Sequence, residues 1–130
     1  MALYDSSVLI DYLDGDHRAV DYVQSHFDER AVAPPLVLFE VYQGEVFKTG
    51  PADFDAVDGA LEWLTVIDAI PGMARAAAEV QNTLHERGVT LAPRDAFITG
   101  TARELGEPLV VADEDFDVDG MADLLSVDVL

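Results

Sequence analysis

The sequence has 130 residues, with 7 Lys+Arg against 26 Asp+Glu, a formal net charge of −19 at neutral pH. That balance excludes a nucleic-acid binder built on a basic patch, and the absence of cysteine excludes disulfides and thiolate metal sites. Half the residues are hydrophobic and 8% aromatic, so intrinsic disorder is excluded as well and residues 1–130 are expected to form a single domain around one core. No basic leader and no apolar run near ~18 residues is visible, which predicts neither a signal peptide nor a membrane span and makes the cytoplasm the expected location. Lys48 is the only lysine beside six arginines. So acidic a surface suits a salty cytoplasm, where the Debye length falls to ~3 Å at about 1 M salt, or else an acidic protein with a basic partner.

Along the chain, Ala2–Tyr4 reads as a short strand ending at Asp5, and Ser6-Ser7 opens a helix through Val8, Leu9, Ile10 and Leu13. Asp16 is the expected N-cap of a helix that places Ala19, Val20, Val23 and Phe27 on one face and ends near Arg30. Ala31–Ala33 is a buried strand. Pro34-Pro35 starts a helix through Leu36, Val37, Glu40, Val41 and Phe47, stopped by Gly50-Pro51. Ala52 to Glu62 repeats the helical spacing with Phe54, Val57 and Leu61, and the short segment Leu64–Ile67, rich in β-branched residues, predicts a strand. Pro71 and Gly88 bracket a helix with Ala74, Ala77, Ala78, Gln81 and Leu84 inward. Pro93 opens another, with Ile98, Ala102 and Leu105 inward and Gly106 at its end. Leu109–Ala112 is a strand covered on both faces, and Leu124–Leu130 an edge strand. Strands alternating with helices predict an α/β fold, a three-layer α/β/α sandwich around a mainly parallel sheet.

Most of the carboxylates must be solvated, so the informative ones stand where the apolar pattern predicts burial. Asp5 and Asp113 follow predicted strands, at the ends where open parallel sheets bind ligands. Glu40 interrupts the apolar run Leu36–Tyr42, and Asp95 lies one turn before Ile98 and Thr99 on the core side of its helix. Buried charge needs a counter-charge. Arg94 lies about 100° round the helix from Asp95, and no lysine is near, so the pattern predicts acids neutralised by a divalent cation, with an all-oxygen set that suits Mg²⁺ or Mn²⁺. The competing reading of each acid alone is a helix cap stabilised by the macrodipole.

Asp5-Ser6-Ser7-Val8-Leu9-Ile10-Asp11, Phe39-Glu40-Val41-Tyr42-Gln43-Gly44, Pro93-Arg94-Asp95-Ala96-Phe97-Ile98 and Ala112-Asp113-Glu114-Asp115-Phe116 together resemble the four acidic motifs of PIN-domain ribonucleases, and among them the VapC toxins of toxin–antitoxin pairs. The resemblance runs the length of the chain, in order. It implies a PIN-like fold and a metal-dependent endoribonuclease in which Asp5, Glu40, Asp95 and Asp113 are catalytic and hold Mg²⁺ (or Mn²⁺). Ser7 corresponds to the hydroxyl residue after the first acid and Asp115 to an auxiliary acid; Val111 departs from the Thr or Ser of many relatives. Hydrolysis of an RNA phosphodiester requires an acidified water and an offset for phosphorane charge, both of which a carboxylate-held metal supplies. The resemblance also implies a VapB-type antitoxin, packed in a groove and placing a basic side chain among the acids, and a toxin homodimer. Tyr12, Phe39 and Tyr42 are candidates for that groove.

Other readings find less support. A receiver-type phosphoacceptor needs a lysine after the last parallel strand, and no Gly-rich phosphate loop follows a strand. His17, His26 and His85 form no zinc-binding pair and read as surface or rim residues. Tyr12, Tyr22, Tyr42 and Trp63 read as core or interface rather than base-stacking residues. Arg18, Arg75, Arg87, Arg94 and Arg103 are the candidate phosphate contacts, with Arg94 nearest the acids. A catalytically inactive PIN-like binding or scaffold module is the alternative function. If the acids converge unpaired, Asp5→Asn is expected to raise the metal-free melting temperature by relieving repulsion.

Overall fold

The computed structural model describes residues 2–68 and 72–130; the predicted helix start at Pro71 lies outside them. Among these residues, five short strands, β1 (Ala2–Tyr4), β2 (Ala31–Ala33), β3 (Leu64–Val66), β4 (Leu109–Val111) and β5 (Val127–Val129), form one sheet in the order β3-β2-β1-β4-β5. All four pairings are parallel. The three inner strands are buried throughout, as continuous apolar runs require, while β3 and β5 are half-exposed edges. Having laid down β2 and β3 on one side of β1, the chain returns to place β4 on the other. This reversal opens a crevice at the carboxyl ends of β1 and β4, where Tyr4 pairs with Val110.

Among the described residues, six α-helices fill the connections: α1 (Ser6–Leu13) and α2 (His17–Ser25), then α3 (Pro35–Phe47) and α4 (Phe54–Ala60), then α5 (Gly72–Glu86) and α6 (Pro93–Leu105). α1 packs with α2 and α3, α3 with α4, and α5 with α6, and the right-handed crossover rule assigns the two groups to opposite faces of the sheet, the three layers expected. Local chemistry sets the helix ends. Asp5, Asp16 and Asp53 accept hydrogen bonds from the first-turn N–H groups of α1, α2 and α4. Pro35 and Pro93 open α3 and α6, and Gly106 closes α6 at φ 69°, in the left-handed region.

Helical register differs from expectation in three places. α2 stops at Ser25, so Phe27 lies beyond it and is exposed. In α3, Val37, Leu38 and Val41 are buried while Leu36 and Phe47 face out. Met73, Ala76, Ala77, Val80 and Leu84 form the inner face of α5, leaving Ala74 and Ala78 exposed. Alanine carries little burial energy, so the larger Met73, Val80 and Leu84 decide which way α5 turns. Val80 and Leu84 also build a second apolar cluster with Leu91, Ala96 and Met121.

The approach of α5 to α6 is set by Gly100. A Cβ there would stand 2.4 Å from both the backbone N and the Cα of Ala77, a clash that no rotamer change removes. Gly100→Ala is therefore expected to destabilise by about 1–3 kcal/mol, the range for overpacking, despite alanine's better helix propensity. Urea unfolding would read the change as a lowered midpoint; an unchanged midpoint would show that the helices separate freely.

Tyr4 is 2% exposed and packs edge-on against Trp63 and Tyr22, with ring centroids 5.5 and 6.2 Å away. Tyr12 joins this cluster through Trp63 at 5.2 Å. Burial, with the charges of Glu29 and Asp128, pushes the Tyr4 hydroxyl from 10.0 up to about 12. Because the folded value is raised, its stabilising contribution is complete below pH 10 and is lost as pH climbs toward 12, by on the order of 2 kcal/mol. Melting curves from pH 9 to 12 should fall less steeply for Tyr4→Phe than for the parent; equal slopes would contradict the assignment.

Candidate active site

Asp5 leaves β1 directly into the crevice and is 1% exposed. Its Oδ2 accepts hydrogen bonds from the Ser7 backbone N–H (3.2 Å) and the Ser7 hydroxyl (2.7 Å). The same hydroxyl accepts from the backbone N–H of Ala112 at 3.0 Å, tying the start of α1 to the end of β4. Ser7 thus gives this corner a hydroxyl although residue 111 is a buried valine.

Asp95, in the first turn of α6, is 9% exposed and points inward as its spacing predicts. Glu40 reaches the same point from α3. What joins them is Arg94. Its Nη2 donates to Asp5 Oδ1 at 2.7 Å and to the Ser6 hydroxyl at 2.8 Å, and also to Glu40. Its Nη1 donates to Asp95 Oδ1 at 2.8 Å, and its Nε to Glu40 Oε2 at 2.8 Å. The prediction that these acids lack a basic partner is therefore corrected: one guanidinium answers three carboxylates. The 100° offset on the helix describes where Cβ points, whereas the long Arg94 side chain curls back past its neighbour. Neither Ser6 nor this pairing was expected; the RD dipeptide at a helix start beside Asp5 and Glu40 was the available signal.

Burial raises the Asp95 carboxyl above its ordinary value; the hydrogen bond and charge of Arg94 pull it back, and the charges of Asp5 and Asp113 push it up again. Burial alone would lower the Arg94 guanidinium, but the hydrogen bonds it donates to Glu40 and Asp95 and the charge of Asp5 outweigh it and raise it. Asp113 follows β4 and caps the 3₁₀ turn Glu114–Phe116, accepting from the Asp115 backbone N–H at 2.9 Å. It lies at the rim, felt by Asp95 through its charge. The Asp115 side chain itself is exposed.

The structure thus brings Asp5, Glu40 and Asp95 together, with Asp113 beside them. Their oxygens suit a hard cation, and that three of them already converge on one cationic group shows the set can accommodate positive charge. Among the described residues, no three acidic or imidazole side chains form a ready ligand cluster. The carboxylates instead surround a planar guanidinium at hydrogen-bond distances, wider than the ~2.0–2.1 Å that Mg²⁺ requires.

The other candidate cations lie elsewhere. Arg18, Arg75 and Arg87 pair with Asp16, Glu79 and Asp123 on the surface, and Arg103 is nine residues along α6 from Arg94, roughly 13 Å. His17 and His85 are exposed, and His26 stacks on Tyr22 at 4.1 Å. Phe39 and Tyr42 line an apolar groove of about 480 Å³ with Val46, Phe47 and Phe54. Tyr12 does not join it.

The sequence model of the PIN domain matches residues 2–119. No curated protein matches the sequence as a relative. Among solved structures, the chain is similar to VapBC2 from Rickettsia felis, bound to a DNA fragment from their promoter, with a TM-score of 0.82 and 15% identity over 98% of this chain and 96% of that one. It is also similar to FitAcB from Neisseria gonorrhoeae, TM-score 0.80 and 19% identity over 98% and 96% of the two chains. DNA-bound VapBC from Salmonella typhimurium gives 0.79 and 17%, covering 98% of each.

Proposed function

Because the chain belongs to the PIN-domain family, we propose that it is a Mg²⁺-dependent endoribonuclease, the VapC-type toxin of a toxin–antitoxin pair. Nuclease activity in general is what the family supports. The single observation behind the finer reading is the convergence of Asp5, Glu40 and Asp95 from three elements at the β1/β4 crevice. In this reading Asp5 and Asp95 hold the metal directly, and Glu40 and Asp113 hold it directly or through water, one of them orienting the attacking water. Mg²⁺ or Mn²⁺ would supply charge to offset the phosphorane and acidify the attacking water. Ser7 fixes the Asp5 carboxylate, Asp115 fixes Asp113 through its backbone, and Arg94 is the cation that meets the phosphate.

A protein of charge −19 gains nothing from non-specific phosphate attraction, so RNA selection rests on the shape of a loop fitted to the crevice. The acid-rich surface fits a salty cytoplasm, and no helix among the described residues is long and apolar enough to cross a membrane. The solved relatives are named as VapBC complexes, which supports a VapB-type antitoxin as partner and the exposed groove at Phe39, Phe47 and Phe54 as its seat. A homodimer completes the proposal.

Incubation with total RNA in high-salt buffer, with and without Mg²⁺ or Mn²⁺, followed by mapping of the new ends, tests the activity; no metal-dependent cleavage would refute it. Surface acids are the control. Asp53→Asn and Asp55→Asn, at the exposed start of α4, should change cleavage less than about threefold, a sub-kcal/mol effect. Losses as large as at the site would mean that bulk charge governs the activity. The inactive-module reading has one observation in its favour, the guanidinium already filling the acid cluster, and Mn²⁺ titration separates the two.

A further inference from the structure

Every donor nitrogen of Arg94 is engaged at the acid cluster: Nε with Glu40, Nη1 with Asp95, and Nη2 with Asp5, Glu40 and Ser6. Asp5 Oδ1, both carboxylate oxygens of Glu40 and Asp95 Oδ1 are the oxygens so engaged. We propose that Arg94 is a built-in counter-ion that holds this cluster in a closed, metal-free form and must release its carboxylates before a divalent cation can bind. The inference rests on the metal-site reading above. A guanidinium and a divalent ion competing for one buried Asp5 oxygen would lie within a few ångströms of each other, where like charges repel strongly in a partly desolvated site. Arg94 has somewhere to go, since its side chain is 27% exposed and the Asp5 side chain 1%. Its departure requires rotation about its own side-chain bonds only, while the first turn of α6 stays anchored by the buried Asp95 and Ala96. The metal-free cluster keeps a cation, and metal loading becomes a competition within the chain, set by divalent-ion concentration.

The test uses the full chain with Mn²⁺ and Mg²⁺ as probes at fixed ionic strength. Calorimetric titration should give tighter Mn²⁺ binding by Arg94→Ala, by at least about fivefold, the low end of coupling between linked sites. Arg94→Lys, which keeps the charge but cannot fork to three acids, should fall between parent and Arg94→Ala. Equal or weaker binding by both variants, with the parent binding Mn²⁺, overturns the inference alone. Failure of parent and variants alike to bind either ion overturns the metal-site reading and the inference with it. A measurement on the parent removes dependence on variant folding. The Arg94 Nε–H resonance, protected by Glu40 without metal, should collapse to that of a free arginine at saturating Mg²⁺. Its persistence in the metal-loaded protein would show that both cations share the site and would overturn the proposal.

Discussion

Asp95→Asn is expected to reduce metal-dependent RNA cleavage by more than about a hundredfold, the scale on which removing one electrostatic contributor acts, while leaving the metal-free fold as stable as the parent. The split follows from what the side chain touches. Asp95 accepts one hydrogen bond, from Arg94 Nη1, and the Asn carbonyl oxygen can accept the same bond. Burial disfavours the charged carboxylate, so the neutral amide avoids that desolvation. What the amide cannot do is bring a negative charge to a divalent ion. Cleavage of an end-labelled RNA with Mn²⁺, beside melting curves in EDTA, would read both halves. Undiminished cleavage would remove Asp95 from the ligand set, and a collapse in stability would make it a structural acid.

The parts legible in the sequence were those where one residue type admits one solution. Leu109–Val111 is apolar at every position and became an inner strand; Asp16 and Gly106 mark helix ends because few residues satisfy orphan N–H groups or a positive φ. Asp5, Glu40 and Asp95 stood out because each interrupts an apolar pattern, and all three meet. Other features depended on competition between similar residues. In α5 nearly every face offers an alanine, so periodicity alone could not choose between Ala74 and Ala76. In α3 the apolar residues outnumber the positions the core can cover, leaving Phe39 and Phe47 outside. Arg94 was misjudged for another reason: helical periodicity describes Cβ directions, and a side chain with four rotatable bonds can ignore them when three acids stand within reach.

Arg94 also reverses the expected effect of Asp5→Asn. With the acids unpaired, removing a charge would relieve repulsion and raise the metal-free melting temperature. Paired as they are, Asp5 Oδ1 accepts from Nη2 of Arg94 at 2.7 Å and Oδ2 from the two Ser7 donors at 2.7 and 3.2 Å, and the substitution takes one of these two acceptors away. An amide has one acceptor oxygen, so either Arg94 or Ser7 then confronts an NH₂ group, donor against donor, at a position 1% exposed. Breaking a buried pair in this way costs about 3–5 kcal/mol, with the conserved shape of Asn favouring the low end. The melting temperature should therefore fall by roughly 10 °C, at about 3–4 °C per kcal/mol for a domain of this size. Molar KCl should recover little of the loss, because bulk ions screen a buried pair poorly. A double-mutant cycle isolates the cause: once Arg94→Ala has removed the guanidinium, Asp5→Asn should cost at least about 1 kcal/mol less than in the parent, since neighbours in one ion-pair network couple by that order. Additive losses would assign the cost to the α1 cap and the Ser7 bridge alone. A rise in melting temperature in the parent background would mean that the carboxylates repel in spite of Arg94.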